Sequence, residues 1–451
     1  AHDLGIEVVL DLVINHTSLQ HPFMKDALRY GEHSVYRDYY LWNPDGTFQS
    51  YWADLPNLNY GNSEVWDYFI RASQYWVEVF DIDGYRCDVA WGIQERTPGF
   101  WQAWRDSLKA TKDNVLLLAE ASIEDATLFD GRFDAAYDWG YMNHLKGLMR
   151  GVETPQDIHG HVASFPGTGS GPLALRFIEN HDETRFLAEF GPERTKTAAA
   201  ILYASPGLPL LYAGQEVGEL TQRYYINWSD PHHLEPLYRA LGAIRERMTC
   251  LQRGAYRWVT NTNSANVYCF ARDTAEQRIF VAANCRAFAQ AVQLTLPVDA
   301  WGLSPGEDWV VSNLLTGETE VVTTEGLASL SLTLDPYEVI LAAVADSAVV
   351  GTEPMPEPAA LRLELMPPVP NPARGATMVS FTLPRPDVPT LELWDMAGRR
   401  HGHFEPGRPL AAGMHSLLWS VDGLGGVRPG AYLMVLQAGD ERRTRPLIIL
   451  P

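Results

Sequence analysis

Leu116-Leu117-Leu118-Ala119-Glu120 is a run of four apolar residues closed by an acid. A run with no polar alternation predicts a strand covered on both faces, as in a parallel sheet packed between helices. The pattern recurs in both directions. Upstream, Val8-Val9-Leu10-Asp11-Leu12-Val13 is apolar but for Asp11, and Gly84-Tyr85-Arg86-Cys87-Asp88-Val89-Ala90 carries another acid at its end. Downstream, strand-like runs end near Asp138, Asn180 and Tyr212. Helical stretches separate them. From Ser63 to Phe80 the residues Val65, Trp66, Phe69, Ile70, Trp76, Val77 and Phe80 recur at helical spacing, with Asn62 or Ser63 as cap. That stripe places Trp66 and Trp76 in the core.

Spacing sharpens the architecture. Glu120 follows Asp88 by 32 residues and Asp182 follows Glu120 by 62, one and two β/α units respectively. A unit is about 30 residues in a barrel of about 250. The 77 residues from Asp11 to Asp88 therefore hold one unit and an insertion, at about 17–60. The expectation is a partial (β/α)8 TIM barrel over residues 1–249, with polar residues at the C-terminal ends of its strands. Six strands are counted and closure needs eight, so the chain, which opens Ala1-His2-Asp3, is expected to be N-terminally truncated. Open edges invite aggregation, so the 451-residue piece alone is expected to be inactive or poorly soluble.

Beyond Thr249 the helical signal fades. Residues 250–345 read as a β-sandwich with strands such as Asn266–Ala271, Ile279–Ala283 and Leu332–Leu341. Residues 346–368, with Glu353-Pro354-Met355-Pro356-Glu357-Pro358 at their centre, read as a stiff linker. Residues 369–451 form a further Ig-like β module with strands at Met378–Leu383, Leu391–Asp395, Ser416–Ser420 and Tyr432–Leu436. A formal net charge of −21 disfavours a nucleic-acid role, which relies on clustered Lys and Arg. No apolar run approaches the roughly 20 residues of a membrane span. The four cysteines make neither a disulfide framework nor a zinc site, and Cys87 reads as a buried, inert thiol.

Three acids at strand ends one and two units apart, Asp88, Glu120 and Asp182, suit cleavage of a glycosidic bond with retention. That reaction needs an ionised carboxylate to attack and a protonated carboxyl to release the leaving oxygen, about 5–5.5 Å apart. Arg86 lies on the same side of its strand as Asp88 and would hold that carboxylate ionised, as a nucleophile. Glu120 follows an apolar run, and desolvation raises a carboxyl pKa, which suits the acid. Asp182, beside His181, is suited to holding sugar hydroxyls.

Asp11-Leu12-Val13-Ile14-Asn15-His16, Gly84-Tyr85-Arg86-Cys87-Asp88, Leu118-Ala119-Glu120 and Asn180-His181-Asp182 resemble the four ordered motifs of the α-amylase family, glycoside hydrolase family 13. Leu55-Pro56-Asn57-Leu58-Asn59 resembles its short motif near the end of domain B, and Gly207 to Glu216 its strand-eight region. The resemblance covers about residues 1–345. It implies that Asp88 forms a glycosyl-enzyme, Glu120 acts as acid then base, and Asp182 stabilises the transition state. It further implies that His16, Arg86 and His181 bind around the sugar and that Asp11 supports the site. Among the aromatics, Trp52 and Trp91 are the stacking candidates. The implied substrate is an α-1,4-glucan such as starch, maltodextrin or cyclodextrin. A transglycosylase or isomerase of the trehalose-synthase kind and a non-catalytic binding protein remain alternatives. No cofactor is required. Calcium is an optional structural ion, with Asn15 in one ligand position, although Asn57 stands where calcium-binding amylases carry Asp. The Asp88-Val89-Ala90 form resembles neopullulanase-like members. Pro370-Asn371-Pro372, Leu393 to Arg399 and Arg428-Pro429-Gly430 resemble a C-terminal sorting domain related to the flagellar hook capping protein's Ig-like domain. That implies contact with secretion machinery and a secreted or cell-surface bacterial protein.

Overall fold

Six short strands, β1 (Val9–Leu12), β2 (Gly84–Cys87), β3 (Leu116–Ser122), β4 (Ala135–Tyr137), β5 (Leu173–Arg176) and β6 (Leu208–Pro209), pair in chain order, every pair parallel. They belong to a computed structural model that describes residues 1–167, 171–223, 225–346, 363–410, 413–420 and 427–450. β1 and β6 do not pair with each other, so among the described residues the sheet has two edges. The helices α1 (Pro22–Tyr30), α2 (Ser63–Phe80), α3 (Ala90–Arg96), α4 (Gly99–Thr111), α5 (Trp139–Arg150), α6 (Pro155–Ser164), α7 (Phe186–Ala204) and α8 (Leu234–Arg247) complete this body. The segment between β1 and α2 carries α1 and is tied back by bridges such as His16 to Asn57 and Tyr40 to Leu58.

Register aligns the acids. Leu12 stands opposite Cys87, and Cys87 opposite Ala119, so the next residues, Asp88 and Glu120, emerge level at the same end of the sheet. Cys87 is buried and unpaired, as are the other three cysteines, and burial pushes its thiol pKa far up. Tyr85, Leu117, Phe100, Trp101 and Trp104 are fully buried in the core beneath β2 and β3.

The apolar stripe of α2 is rotated from the expected one. Asn62 caps the helix, accepting from Glu64 N–H. The buried line runs through Val65, Ser73 and Val77, with Trp66, Phe69 and Ile70 partly covered. Trp76 is 43% exposed and leans on Phe80, ring centroids 4.6 Å apart, so it is not core. It sits one residue off the i, i+4 line that faces the sheet.

Residues 255–346 form two antiparallel sheets, of six and three strands. Tyr268, Phe270, Ile279 and Val281 share one apolar cluster with α5 and α7, so this body is packed on the helices. The expected strand Leu332–Leu341 is two strands, Leu330–Leu334 and Val339–Asp346, split by a turn in which Tyr337 has φ 60°. Asp-Pro at 335–336 breaks the run, since proline cannot donate to a ladder. Most of the predicted linker, 347–362, lies outside the described residues. Leu363 and Leu365 are buried in the core of the tail module, which thus begins before residue 369. Strands Ala376–Leu383, Thr390–Asp395, Gly413–Ser420 and Gly430–Ala438 contain the four expected there. No helix among the described residues is long and apolar enough to cross a membrane.

Trp104→Ala should cost about 3–5 kcal/mol, as for a large buried aromatic. Trp76→Ala should cost less than about 1 kcal/mol, as expected near the surface. Urea melts followed by far-ultraviolet circular dichroism test the pair; equal losses would contradict the assigned face of α2.

Candidate active site

Arg86 enters from the middle of β2 and is mostly buried. Its Nη1 donates to Asp11 Oδ1 at 2.6 Å and to Asp88 Oδ1 at 2.9 Å. Its Nη2 forms an ion pair with Glu120 Oε1 without hydrogen-bond alignment. One guanidinium therefore holds acids from three adjacent strands. Sequence reasoning assigned it to Asp88 and the sugar; the contacts with Asp11 and Glu120 come from parallel register. Burial works against the Arg86 charge, but Glu120, Tyr137 and Asp11 outweigh it and raise its pKa.

Val89 turns the chain from β2 into α3 with φ 47° and ψ 43°, a left-handed conformation uncommon for a β-branched residue. The turn aims Val89 N–H at Glu120 Oε2, 2.9 Å away. Burial raises the Glu120 pKa above its ordinary value; Val89 N–H and Arg86 oppose the shift, and Asp88 and Asp182 add to it. The direction matches the expectation from the apolar run.

Asp182 follows the fifth strand and is open to solvent. Ligand atoms of Glu120, His181 and Asp182 all lie within 4.8 Å of one another. Asp182 pairs with His181 Nε2 at 3.3 Å and with Arg223 Nη2. Arg223 also donates through Nε to the His181 carbonyl at 2.8 Å. No expectation pointed to Arg223. It lies in an irregular stretch beyond the last strand, where no periodicity marks a side chain.

The three acids, His181 and Arg223 line one cleft of about 600 Å³ together with His16, Trp52, Leu55, Val89, Trp91, Ala121, Ser122 and Trp139; Arg86, expected around the sugar, is not among its lining residues. His16, Trp52, Trp91, His181 and the three acids, each expected from sequence, thus meet. Trp139 and Leu55 are additions that reasoning missed. Trp52 and Trp91 face each other edge-on at 6.4 Å, with Tyr51 4.8 Å from Trp91. Burial lowers the His16 pKa, Asp88 opposes and Arg96 adds to the effect. Asn15 is not free for an ion: Arg96 Nη2 donates to its Oδ1 at 2.8 Å, and its Nδ2 meets His16 Nδ1 at 3.1 Å. Two further strand-end acids stay out of the cleft. Asp138 is fully buried, caps α5 and pairs with Arg176 and His161. Glu179 is consumed by Arg185 and Phe186 N–H.

Residues 1–287 match the family described as Alpha amylase, catalytic domain, and residues 256–341 match Maltogenic Amylase, C-terminal domain. The chain is 32% identical over 325 residues to Alpha-amylase MalA of Haloarcula japonica, covering 68% of this chain and 47% of that protein. It is 29% identical over 365 residues to Neopullulanase 2 of Thermoactinomyces vulgaris, covering 75% and 60%. It thus spans about half to three-fifths of the length of these relatives. In fold it is similar to the noncanonic maltogenic alpha-amylase AmyB of Thermotoga neapolitana, with TM-score 0.64, 22% identity and 76% of this chain and 79% of that chain covered.

The raised pKa of Glu120 has a consequence for stability. A carboxyl that holds its proton more tightly when folded stabilises the fold at low pH, and that contribution is lost as pH rises from the unfolded through the folded value. Glu120→Gln, which cannot ionise, should therefore gain Tm relative to the parent as pH climbs through that window. Thermal melts across pH check this; a difference that is flat or shrinks with rising pH would contradict it.

Proposed function

The chain belongs to the alpha-amylase family, and on that premise we propose that its protein is a retaining glycosidase cleaving α-1,4-glucosidic bonds of starch, maltodextrins or cyclodextrins. The observation that carries the reading is the convergence of Asp88, Glu120 and Asp182 on one cleft. Asp88, ion-paired to Arg86, attacks the anomeric carbon. Glu120 gives its proton to the leaving glycosidic oxygen, and the sugar is left esterified to Asp88. Glu120, now ionised, takes a proton from water, and that water attacks the same carbon to free Asp88. Asp182 and His181 accept and donate to ring hydroxyls. Trp52 and Trp91 offer faces on which sugar rings stack. Asp11 positions Arg86 and does not meet the sugar.

The six strands are read as strands three to eight of the family's eight-stranded barrel, and the tail as an Ig-like sorting module. That module supports contact with secretion machinery and a secreted or cell-surface bacterial location. Similarity to a cyclomaltodextrinase, 27% identical over 368 residues, supports cyclic maltodextrins among the substrates. The aromatic wall of Tyr51, Trp52 and Trp91 favours one second reading, transfer to a sugar acceptor stacked there in place of water.

In the full-length protein Asp88→Asn should abolish turnover, and Glu120→Gln should lower it by about 10²–10⁴-fold. The Glu120→Gln loss should be smaller on an aryl glycoside whose leaving group needs no proton. Chromatography of maltose digests separates the two readings: glucose alone means hydrolysis, trehalose or longer oligosaccharides mean transfer. Full activity in Asp88→Asn would overturn both.

A further inference from the structure

Calcium at the junction of the insertion and the sheet is implied by resemblance, with Asn15 and Asn57 at the ligand positions. The residues present do not fit it. Calcium takes six to eight oxygens, carboxylates prominent among them. Here both side chains are neutral amides, and the Asn15 Oδ1 that would face the ion accepts from Arg96 Nη2 at 2.8 Å. Two buried atoms of the junction, Asn57 Oδ1 and Arg96 Nε, have no hydrogen-bond partner among the described residues. The guanidinium bonded to Asn15 is a fixed positive charge, which repels a divalent ion.

Arg96 is the last residue of α3, where a cation also suits the negative end of the helix. Its Nη1 donates to Tyr51 Oη at 2.9 Å, and its guanidinium carbon lies 5.3 Å from the Tyr51 ring centre. Gly92, one turn earlier, makes the room. A Cβ there would fall 2.7 Å from Asn15 Oδ1 and 3.0 Å from the Tyr51 ring. A glycine inside a helix costs about 1 kcal/mol relative to alanine, and this close packing offsets it.

We propose that Arg96 is a built-in cation that takes the place of a metal at this junction and acts as a positioning residue for the cleft. A guanidinium only donates, so it fixes the Asn15 amide with Oδ1 toward itself and Nδ2 toward His16. Nδ2 in turn only donates, so His16 Nδ1 must accept, and the ring proton is placed on Nε2. The same side chain holds Tyr51, which packs 5.8 Å from Trp52 and 4.8 Å from Trp91. One cation thus sets a histidine tautomer and an aromatic wall.

The sugar reading underlies only the kinetic part of the test. Nitrogen NMR of histidine-labelled full-length protein should show His16 as the Nε2–H tautomer, and Arg96→Met should mix the tautomers. Arg96→Met should also lower kcat/KM on maltooligosaccharides by about 10–100-fold, as for other residues that orient a ligand from behind. Arg96→Lys, or guanidinium ion added to Arg96→Met, should recover part of that loss. Millimolar CaCl2 or EDTA should leave the Tm of the parent protein unchanged, a measurement that stands even where Arg96→Met does not fold. A calcium-dependent Tm that disappears in Asn15→Ala would overturn the proposal. So would an Arg96→Met protein with unaltered tautomer and kinetics. Were glycosidase activity absent altogether, the functional reading would fail while the tautomer and melting results still judged Arg96.

Discussion

Arg86 sits among three carboxylates drawn from three neighbouring parallel strands, and the arrangement of the site follows from how that charge is shared. Taking ionised groups out of water is expensive, and the cost is recovered only where each charge meets a partner in good geometry. Asp11 and Asp88 take the two aligned hydrogen bonds from Nη1. Glu120 receives the unaligned ion pair and a single backbone N–H. Asp88 and Glu120 both face the cleft and both meet Arg86, so the guanidinium ties the two acids to one point. Glu120 is left where burial favours its proton. A division of labour between two acids needs one of them to keep its proton, and the burial of Glu120, acting against Arg86, favours that.

The placement of these acids depends on backbone positions that side chains alone do not set. Parallel register brings Cys87 and Ala119 opposite each other, which makes the following acids level. The left-handed turn at Val89 then delivers the N–H that Glu120 accepts. Such a conformation costs of order 1–3 kcal/mol and persists only where its surroundings enforce it. Here Ala90, Gly92 and Ile93 are buried immediately after it and fix the path of α3.

Much of this was legible in the sequence because it follows from periodicity and chain direction. Apolar runs closed by acids gave the parallel strands, and unit spacing brought Asp88, Glu120 and Asp182 to one rim. Asn62 as a cap and the strands of the tail were readable from local chemistry. What escaped was set by three-dimensional packing. Trp76 lies one position off the facing line of α2, a rotation too small for an apolar stripe to reveal. The strand expected over Leu332–Leu341 ignored the Asp-Pro turn within it. Arg223 reaches Asp182 from a stretch without periodicity, and Arg96 reaches Asn15 across 81 positions of chain. Long side chains that act at a distance leave no trace in spacing.

On the proposed reading Asp88, held by Arg86, is the group that bonds to the sugar. A fluorinated α-glycosyl fluoride that reacts quickly but turns over slowly traps such an ester, and peptide mass spectrometry locates it. One added sugar is expected on the peptide containing Gly84–Ala90, at Asp88, and none in Asp88→Asn. A sugar carried instead by Glu120 or Asp182 would contradict it.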